Sequence, residues 1–142
     1  MNHSHSECAA TVAHLSEFCS VVRKAEAQEE QEEQAYVQLL EFLQTHSACR
    51  PHLEAELESM VREFRYARAR EPRLSIDALA FCMHSLRWAG VLQAMQREHR
   101  EFFAPRQDDF PWRLIDAYSP AWEGRSKYEY YDDHTERGGG DA

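Results

Sequence analysis

The apolar residues of this chain recur at helical spacing, and they rarely alternate with polar ones as they would in a strand. Between residues 8 and 22 they follow at intervals of 4, 3, 4 and 3, which places them on one helical face. A second stripe over residues 36–43 keeps the same register, yet the in-register positions between the stripes are Glu26, Glu29 and Glu33. Because buried carboxylates are costly, we predict a turn near Lys24–Gln28. One long helix that projects into water is the alternative.

Prolines and a helix cap mark two further helices. Pro51 suits the first turn of a third helix, which Pro72 ends. Ser75 is a favourable N-cap for a fourth helix. That helix is apolar on most sides over residues 78–95, so we predict that it is central and buried and continues to Phe103.

The C-terminal part of the chain is rich in aromatic side chains. Residues 102–131 hold nine of the chain's sixteen aromatic residues. We expect those up to Trp122 to pack across the bundle, whereas residues 127–142 are acidic and contain no aliphatic residue larger than alanine. The predicted fold is therefore all-α: a four-helix bundle-like single domain over residues 1–126, with an aromatic C-terminal segment packed on it and a disordered acidic tail over residues 127–142.

Composition narrows the class of protein. The 142 residues are 43% hydrophobic, which is sufficient for a core without disulfides or metal. No stretch approaches the roughly 20 apolar residues of a membrane span, and the first residues are polar, unlike a signal peptide. We therefore expect a cytoplasmic protein whose four cysteines, Cys8, Cys19, Cys49 and Cys82, are reduced.

Charge argues against two classes of partner. A formal net charge of −9 disfavours binding to nucleic acid or to an anionic membrane. An acidic block over residues 26–33 and an arginine-rich block over residues 62–73 are predicted to face each other across a hairpin of the second and third helices. Phosphate binding by the arginines and a simple solvated surface are the alternatives.

Chemical motifs are sparse. His46, Cys49 and His52 are weak candidates for zinc ligands, because a structural zinc site needs four ligands and no fourth lies nearby in sequence. A di-metal carboxylate site in a helical bundle uses Glu-x-x-His motifs, and the sequence has none. We find no glycine-rich phosphate loop and no signature of a catalytic nucleophile. The sequence therefore predicts neither a cofactor nor catalysis.

These observations favour a non-enzymatic protein-interaction module: an adaptor, regulator, inhibitor or accessory subunit. It would act on another protein through a helical surface and the aromatic C-terminal segment, and a homo-oligomer is compatible with the same features. Aromatic residues beside arginine resemble interface hot spots, so the candidate partner-binding residues are Trp112, Arg113, Trp122, Tyr128, Tyr130 and Tyr131. The alternatives are a helical-bundle enzyme or metal-binding protein, and an acidic mimic of nucleic acid.

Overall fold

The computed structural model describes residues 5–132, and all regular secondary structure within them is helical. The α-helices are α1 (His5–Glu26), α2 (Glu29–Thr45), α3 (Arg50–Arg62), α4 (Ile76–Leu86), α5 (Ala89–Glu98) and α6 (Trp112–Ile115). The all-α prediction is confirmed. None of the described helices is both long enough and apolar enough to cross a bilayer.

The predicted turn between the first two helices is confirmed. Helix α1 ends at Glu26, and the N–H of Gln28 donates to the carbonyl oxygen of Ala25 at 2.9 Å to close the turn. The first turn of α2 carries three glutamates, Glu29, Glu30 and Glu32. Their charge suits the positive end of the helix dipole, which explains why the apolar stripe is interrupted there.

The fourth helix begins as predicted but is shorter. The Ser75 side chain caps α4 by accepting the N–H of Ala78 at 3.0 Å. The expected continuous helix to Phe103 is wrong, because Arg87 takes a left-handed conformation with φ of 52° and ends α4. The chain is extended at Trp88, and α5 starts at the next residue.

Contacts from other helices stabilise this break. The Glu54 carboxylate, on α3, accepts the N–H of Gly90 at 2.6 Å and so caps the first turn of α5. The Tyr118 hydroxyl donates to the carbonyl oxygen of Trp88 at 2.8 Å. Both partners lie far away in sequence, so local signals alone do not locate the break.

The helices form a bundle whose neighbours differ from the predicted hairpin. Helix α1 packs on α2 and α3, α3 packs mainly on α5 and α1, and α2 packs on α4. The largest fully buried side chains come from α1, α2, α3 and α4 and from the residue Leu74 before α4, and they are Leu15, Tyr36, Leu39, Leu40, Leu43, Leu53, Leu57, Met60, Leu74, Leu79, Phe81 and Met83.

The expected ladder between the acidic and arginine-rich blocks is wrong. Arg73 pairs with Glu56 at 2.6 Å and with Glu63 at 2.5 Å, both on or just after α3. Arg65 pairs with Glu98. Within residues 5–132, no ion pair joins the two blocks. Arg65 and Arg73 follow α3, which packs mainly on α5 and α1, and they meet carboxylates other than those at the start of α2.

The part of the predicted tail that the structure describes is packed on the bundle. Tyr128 is 4% exposed and Tyr131 is 6% exposed, and both rings contact Phe81 with centroids 4.9 Å away. The Glu33 carboxylate accepts the N–H groups of residues 129 and 130, which caps this C-terminal turn (residues 128–132). The expectation that the two tyrosines lie in a free tail is therefore corrected. The rest of the expected tail, residues 133–142, lies outside the described residues.

Two of the four cysteines are not reduced thiols. Cys8 at the start of α1 and Cys49 just before α3 form a disulfide, with Cα atoms 5.4 Å apart. Cys19 and Cys82 are free and buried, as predicted. The expected compartment alone predicts reduced thiols. Pairing of Cys8 with Cys49 depends instead on the packing of α1 against α3, which brings the two chain segments within disulfide range.

Candidate docking groove

The structure separates the predicted partner-binding residues into two groups. Trp112 is 44% exposed, and its neighbour Arg113 forms an ion pair with Asp77 at 2.7 Å on the surface. Tyr128 and Tyr131 belong to the core. The other two, Trp122 and Tyr130, are half-buried against the same core. The six residues therefore do not form one continuous surface.

A different surface has the features of a docking site. Helices α3 and α5 run in the same direction. Glu54 near the start of α3 contacts Gly90 near the start of α5, and Arg65 just after α3 contacts Glu98 at the end of α5. A 3₁₀ turn (Glu63–Tyr66) follows α3, and a π-helix (His99–Phe103) with a 3₁₀ turn (Ala104–Arg106) follows α5.

Between these extensions lies a groove of about 660 Å³. We call it the arginine–aromatic groove. It is lined by Phe64, Arg65, Tyr66, Ala67, Arg68, Ala69, Phe102, Phe103, Arg106, Asp108 and Phe110.

The floor of the groove is built from phenylalanines. The Phe64 and Phe110 rings meet edge to face with centroids 5.1 Å apart, and Phe103 lies 5.7 Å from Phe110. The Phe102 ring contacts Phe103 at 4.9 Å. Such rings supply apolar surface to a ligand without large conformational freedom of their own.

Irregular backbone positions these rings. The wider π-helical turn changes the direction in which Phe102 and Phe103 leave the helix, and such turns often occur at functional sites. Gln107 then takes a left-handed conformation with φ of 56°, and the N–H of Asp108 donates to the Phe103 carbonyl oxygen at 3.0 Å to end the helix. The Asp108 side chain accepts the N–H of Phe110 at 2.9 Å. The chain thereby reverses and returns Phe110 to the floor.

One arginine of the groove is held in place by a buried carboxylate. Arg65 donates two hydrogen bonds to Glu98, at 2.9 and 3.1 Å, and the Glu98 residue is only 3% exposed. Hydrogen bonding to Glu98 raises the pKa of Arg65, so its charge is fixed. Paired groups of this kind fix geometry more reliably than they add stability. The Arg65 side chain therefore holds a fixed position in the wall of the groove.

Two other arginines of the groove form no ion pair with any residue that the structure describes. The guanidinium of Arg106 lies 3.7 Å from the Phe102 ring centroid and donates to the Phe102 carbonyl oxygen at 2.8 Å. Arg68 is exposed. Within residues 5–132, neither forms an ion pair within 4.0 Å. The same holds for the nearby arginines at this end of the bundle, Arg62, Arg70, Arg97 and Arg100. Arginines that form no ion pair with a described residue thus cluster at one end of an acidic protein.

The remaining thiols are poor nucleophiles. Burial raises the pKa of Cys19 to about 12 and also raises the pKa of Cys82. A thiol held protonated is unreactive. These two cysteines therefore offer no catalytic nucleophile near neutral pH.

The weak zinc candidates do not come together as a ligand set. Cys49 is bonded to Cys8, so it presents no thiolate, and the His46 ring packs against Phe42 with centroids 4.6 Å apart. In the described part of the chain, no three side chains of the metal-binding types converge.

A buried histidine links the C-terminal segment to α4. The Nδ1–H of His84 donates to the Ala117 carbonyl oxygen at 2.7 Å, and its ring lies between Trp122 at 5.0 Å and Tyr131 at 4.7 Å. Burial lowers the pKa of His84; the bond to Ala117 opposes this shift, and the charges of Arg87 and Arg125 add to it. The folded protein therefore disfavours the imidazolium form.

This shift predicts a pH dependence of stability. In the unfolded chain His84 binds a proton at the ordinary pKa of about 6.5, whereas the folded chain binds it only at lower pH. The contribution of neutral His84 to the free energy of unfolding is therefore complete above about pH 6.5 and decreases as the pH falls. Thermal melts of the parent should show a lower melting temperature at about pH 5.5 than at about pH 7.5. In His84→Gln this difference should shrink. An unchanged difference would contradict the assignment.

The groove shows what the sequence interpretation missed. The two relevant signals were visible as an arginine-rich run near residues 62–73 and an aromatic run beginning at Phe102. From the sequence, the arginine-rich run is expected to pair with the glutamates of α2, and the aromatic run is expected to pack over the hydrophobic core. Nothing local indicates that they meet, because the contact between Phe64 and Phe110 joins residues far apart in sequence.

Comparison with known proteins finds no relative: no family model, no curated protein and no solved structure matches the chain. We therefore infer function from the geometry and the charge of the chain itself.

Proposed function

We propose that this protein is a non-enzymatic protein-interaction module and that the arginine–aromatic groove is its docking surface. The observation that carries the proposal is the combination of a phenylalanine floor with two arginines, Arg68 and Arg106, that form no ion pair with any described residue, in a protein of net charge −9. This combination matches interfaces between proteins, whose energetic centres are enriched in aromatic residues and arginine.

The walls of the groove support the same proposal. Tyr66 is 57% exposed at the groove, one of three large apolar or aromatic residues so exposed among residues 5–132. A tyrosine with this exposure can add apolar contact and a hydroxyl group at little entropic cost. Arg65 is already fixed by Glu98. A pre-organised surface loses less conformational entropy on binding, which favours affinity.

A second surface borders the first. Trp112 contacts His99 with ring centroids 5.6 Å apart, and His99 is the first residue of the π-helix that forms one wall of the groove. Trp112 and Arg113 thus stay candidates for the periphery of the interface. Tyr128 and Tyr131 are buried, so we assign them to stability.

The disulfide affects the proposed location. Disulfides persist in oxidising compartments, and in reducing ones they are usually transient or redox-sensing. The bond between Cys8 and Cys49 therefore argues against the cytoplasmic location that the sequence favoured. The docking proposal does not depend on the compartment.

Charge reversal tests the proposed function. Tagged parent protein is used to isolate its partner from the cell of origin, beside Arg68→Glu, Arg106→Glu and the control Lys24→Glu. All three residues are exposed, and each variant changes the charge equally. We expect the two groove variants to lose the partner by about tenfold or more, as for hot-spot residues, while Lys24→Glu retains it. Equal recovery by all four proteins would contradict the proposal.

A further inference from the structure

We infer that the groove takes an acidic segment of the partner that presents a large apolar side chain between carboxylates. This inference rests on the proposed function and names the chemical class of the partner.

The acidic part follows from the arginines. Arg68 and Arg106 form no ion pair in the described part of the chain, and they lie on the same groove. A guanidinium presents a planar fork of donors that matches a carboxylate. An acidic segment would supply the counter-charges that residues 5–132 do not provide for Arg68 and Arg106.

The apolar part follows from the floor. Phe64 and Phe103 are buried and Phe102 and Phe110 are half-buried, so a partner side chain that contacts the exposed parts of the last two removes apolar surface from water. Phe102 also lies near two guanidinium groups, Arg106 at 3.7 Å and Arg65 at 5.1 Å from its centroid. These cations hold the ring in a fixed orientation.

A nucleic acid fits the groove less well. Single strands bind through exposed aromatic faces on which successive bases stack, whereas the floor rings here meet edge to face, at 65° for Phe64 with Phe110 and 80° for Phe102 with Phe103. A long polyanion would also meet the repulsion of a protein with net charge −9. A short acidic segment avoids most of it, because salt screens charges beyond roughly 8–10 Å.

The test is a selection from a random peptide library displayed on phage. The library is selected on the full-length protein, after removal of peptides that bind the double variant Arg68→Glu/Arg106→Glu. Circular dichroism first establishes that this variant keeps the helicity of the parent. Selected peptides are then synthesised with a fluorophore, and their dissociation constants are measured by anisotropy. An oligouridine probe is measured beside them.

We expect the selected peptides to combine Asp or Glu with Trp, Phe, Tyr, Leu or Met. Changing their acids to amides, or their apolar residue to serine, should each weaken binding by about tenfold. Binding should also weaken as salt rises from about 10 mM to about 150 mM.

The outcomes of this test separate a failure of the inference from a failure of the proposed function. Groove-dependent peptides that are basic or neutral, or whose amide forms bind equally well, would overturn the inference and leave the proposed function intact. Groove-dependent binding of oligouridine with no peptide selected would overturn both. A selection that yields only peptides bound equally by the double variant would also overturn both.

Discussion

Replacing Tyr131 with alanine is expected to lower the free energy of unfolding by about 3–5 kcal/mol, the range for a large buried aromatic side chain. The Tyr131 ring is 6% exposed, contacts Phe81 and His84, and its hydroxyl donates to the Phe81 carbonyl oxygen. Composition alone predicts the opposite, namely that residues 127–142 add no stability. The burial of this ring distinguishes the two views.

Urea unfolding followed by circular dichroism measures this effect. Glu129→Ala is the matched control, because its side chain is exposed on the same C-terminal turn. We expect the control to stay within about 0.5 kcal/mol of the parent, as for ordinary surface substitutions. A Tyr131→Ala protein as stable as the Glu129→Ala protein would show that the C-terminal turn is not packed in solution.

Removal of the disulfide between Cys8 and Cys49 should also lower stability strongly. The bond joins residues separated by 41 positions, and chain entropy for a loop of that length gives about 3–4 kcal/mol. It ties the start of α1 to the start of α3, so its loss should first loosen the N-terminal turns of α1.

This prediction is checked by unfolding the parent with and without reductant, beside the double variant Cys8→Ala/Cys49→Ala. The parent should lose stability in reductant, whereas the double variant should be insensitive to it, because Cys19 and Cys82 are free thiols. A parent whose unfolding midpoint does not change on reduction would contradict a stabilising disulfide.

Local signals predicted the starts of α2, α3 and α4, because each signal acts within a few residues. Glutamates at the in-register positions located the turn before α2, and Ser75 located the start of α4. Helical periodicity was enough for the all-α class, because an apolar stripe at this spacing has no equivalent in a strand.

Long-range contacts explain what the sequence did not predict. Arg87 takes a left-handed backbone conformation, which glycine usually adopts. The residue type at position 87 therefore does not indicate that α4 ends there. Tyr128 and Tyr131 lie among acidic residues in the sequence, and it is their contacts with Phe81 of α4, and of Tyr128 with Tyr36 of α2, that make them core residues. The disulfide depends on the packing of α3 against α1, and the groove depends on the packing of α3 against α5. The predicted hairpin of α2 with α3 is wrong and indicates neither contact.

Site-specific photo-crosslinking tests the central claim, that the arginine–aromatic groove is the docking surface, most directly. A photoreactive phenylalanine analogue is placed at Tyr66 in the groove or, as control, at Val21 on α1, which is 54% exposed and does not line the groove. After irradiation in the cell of origin, mass spectrometry identifies the attached peptides. We predict that Tyr66 captures one partner segment reproducibly, that Val21 does not, and that Arg68→Glu abolishes the capture. Capture of the same segment from Val21, or capture from Tyr66 that survives Arg68→Glu, would contradict the account.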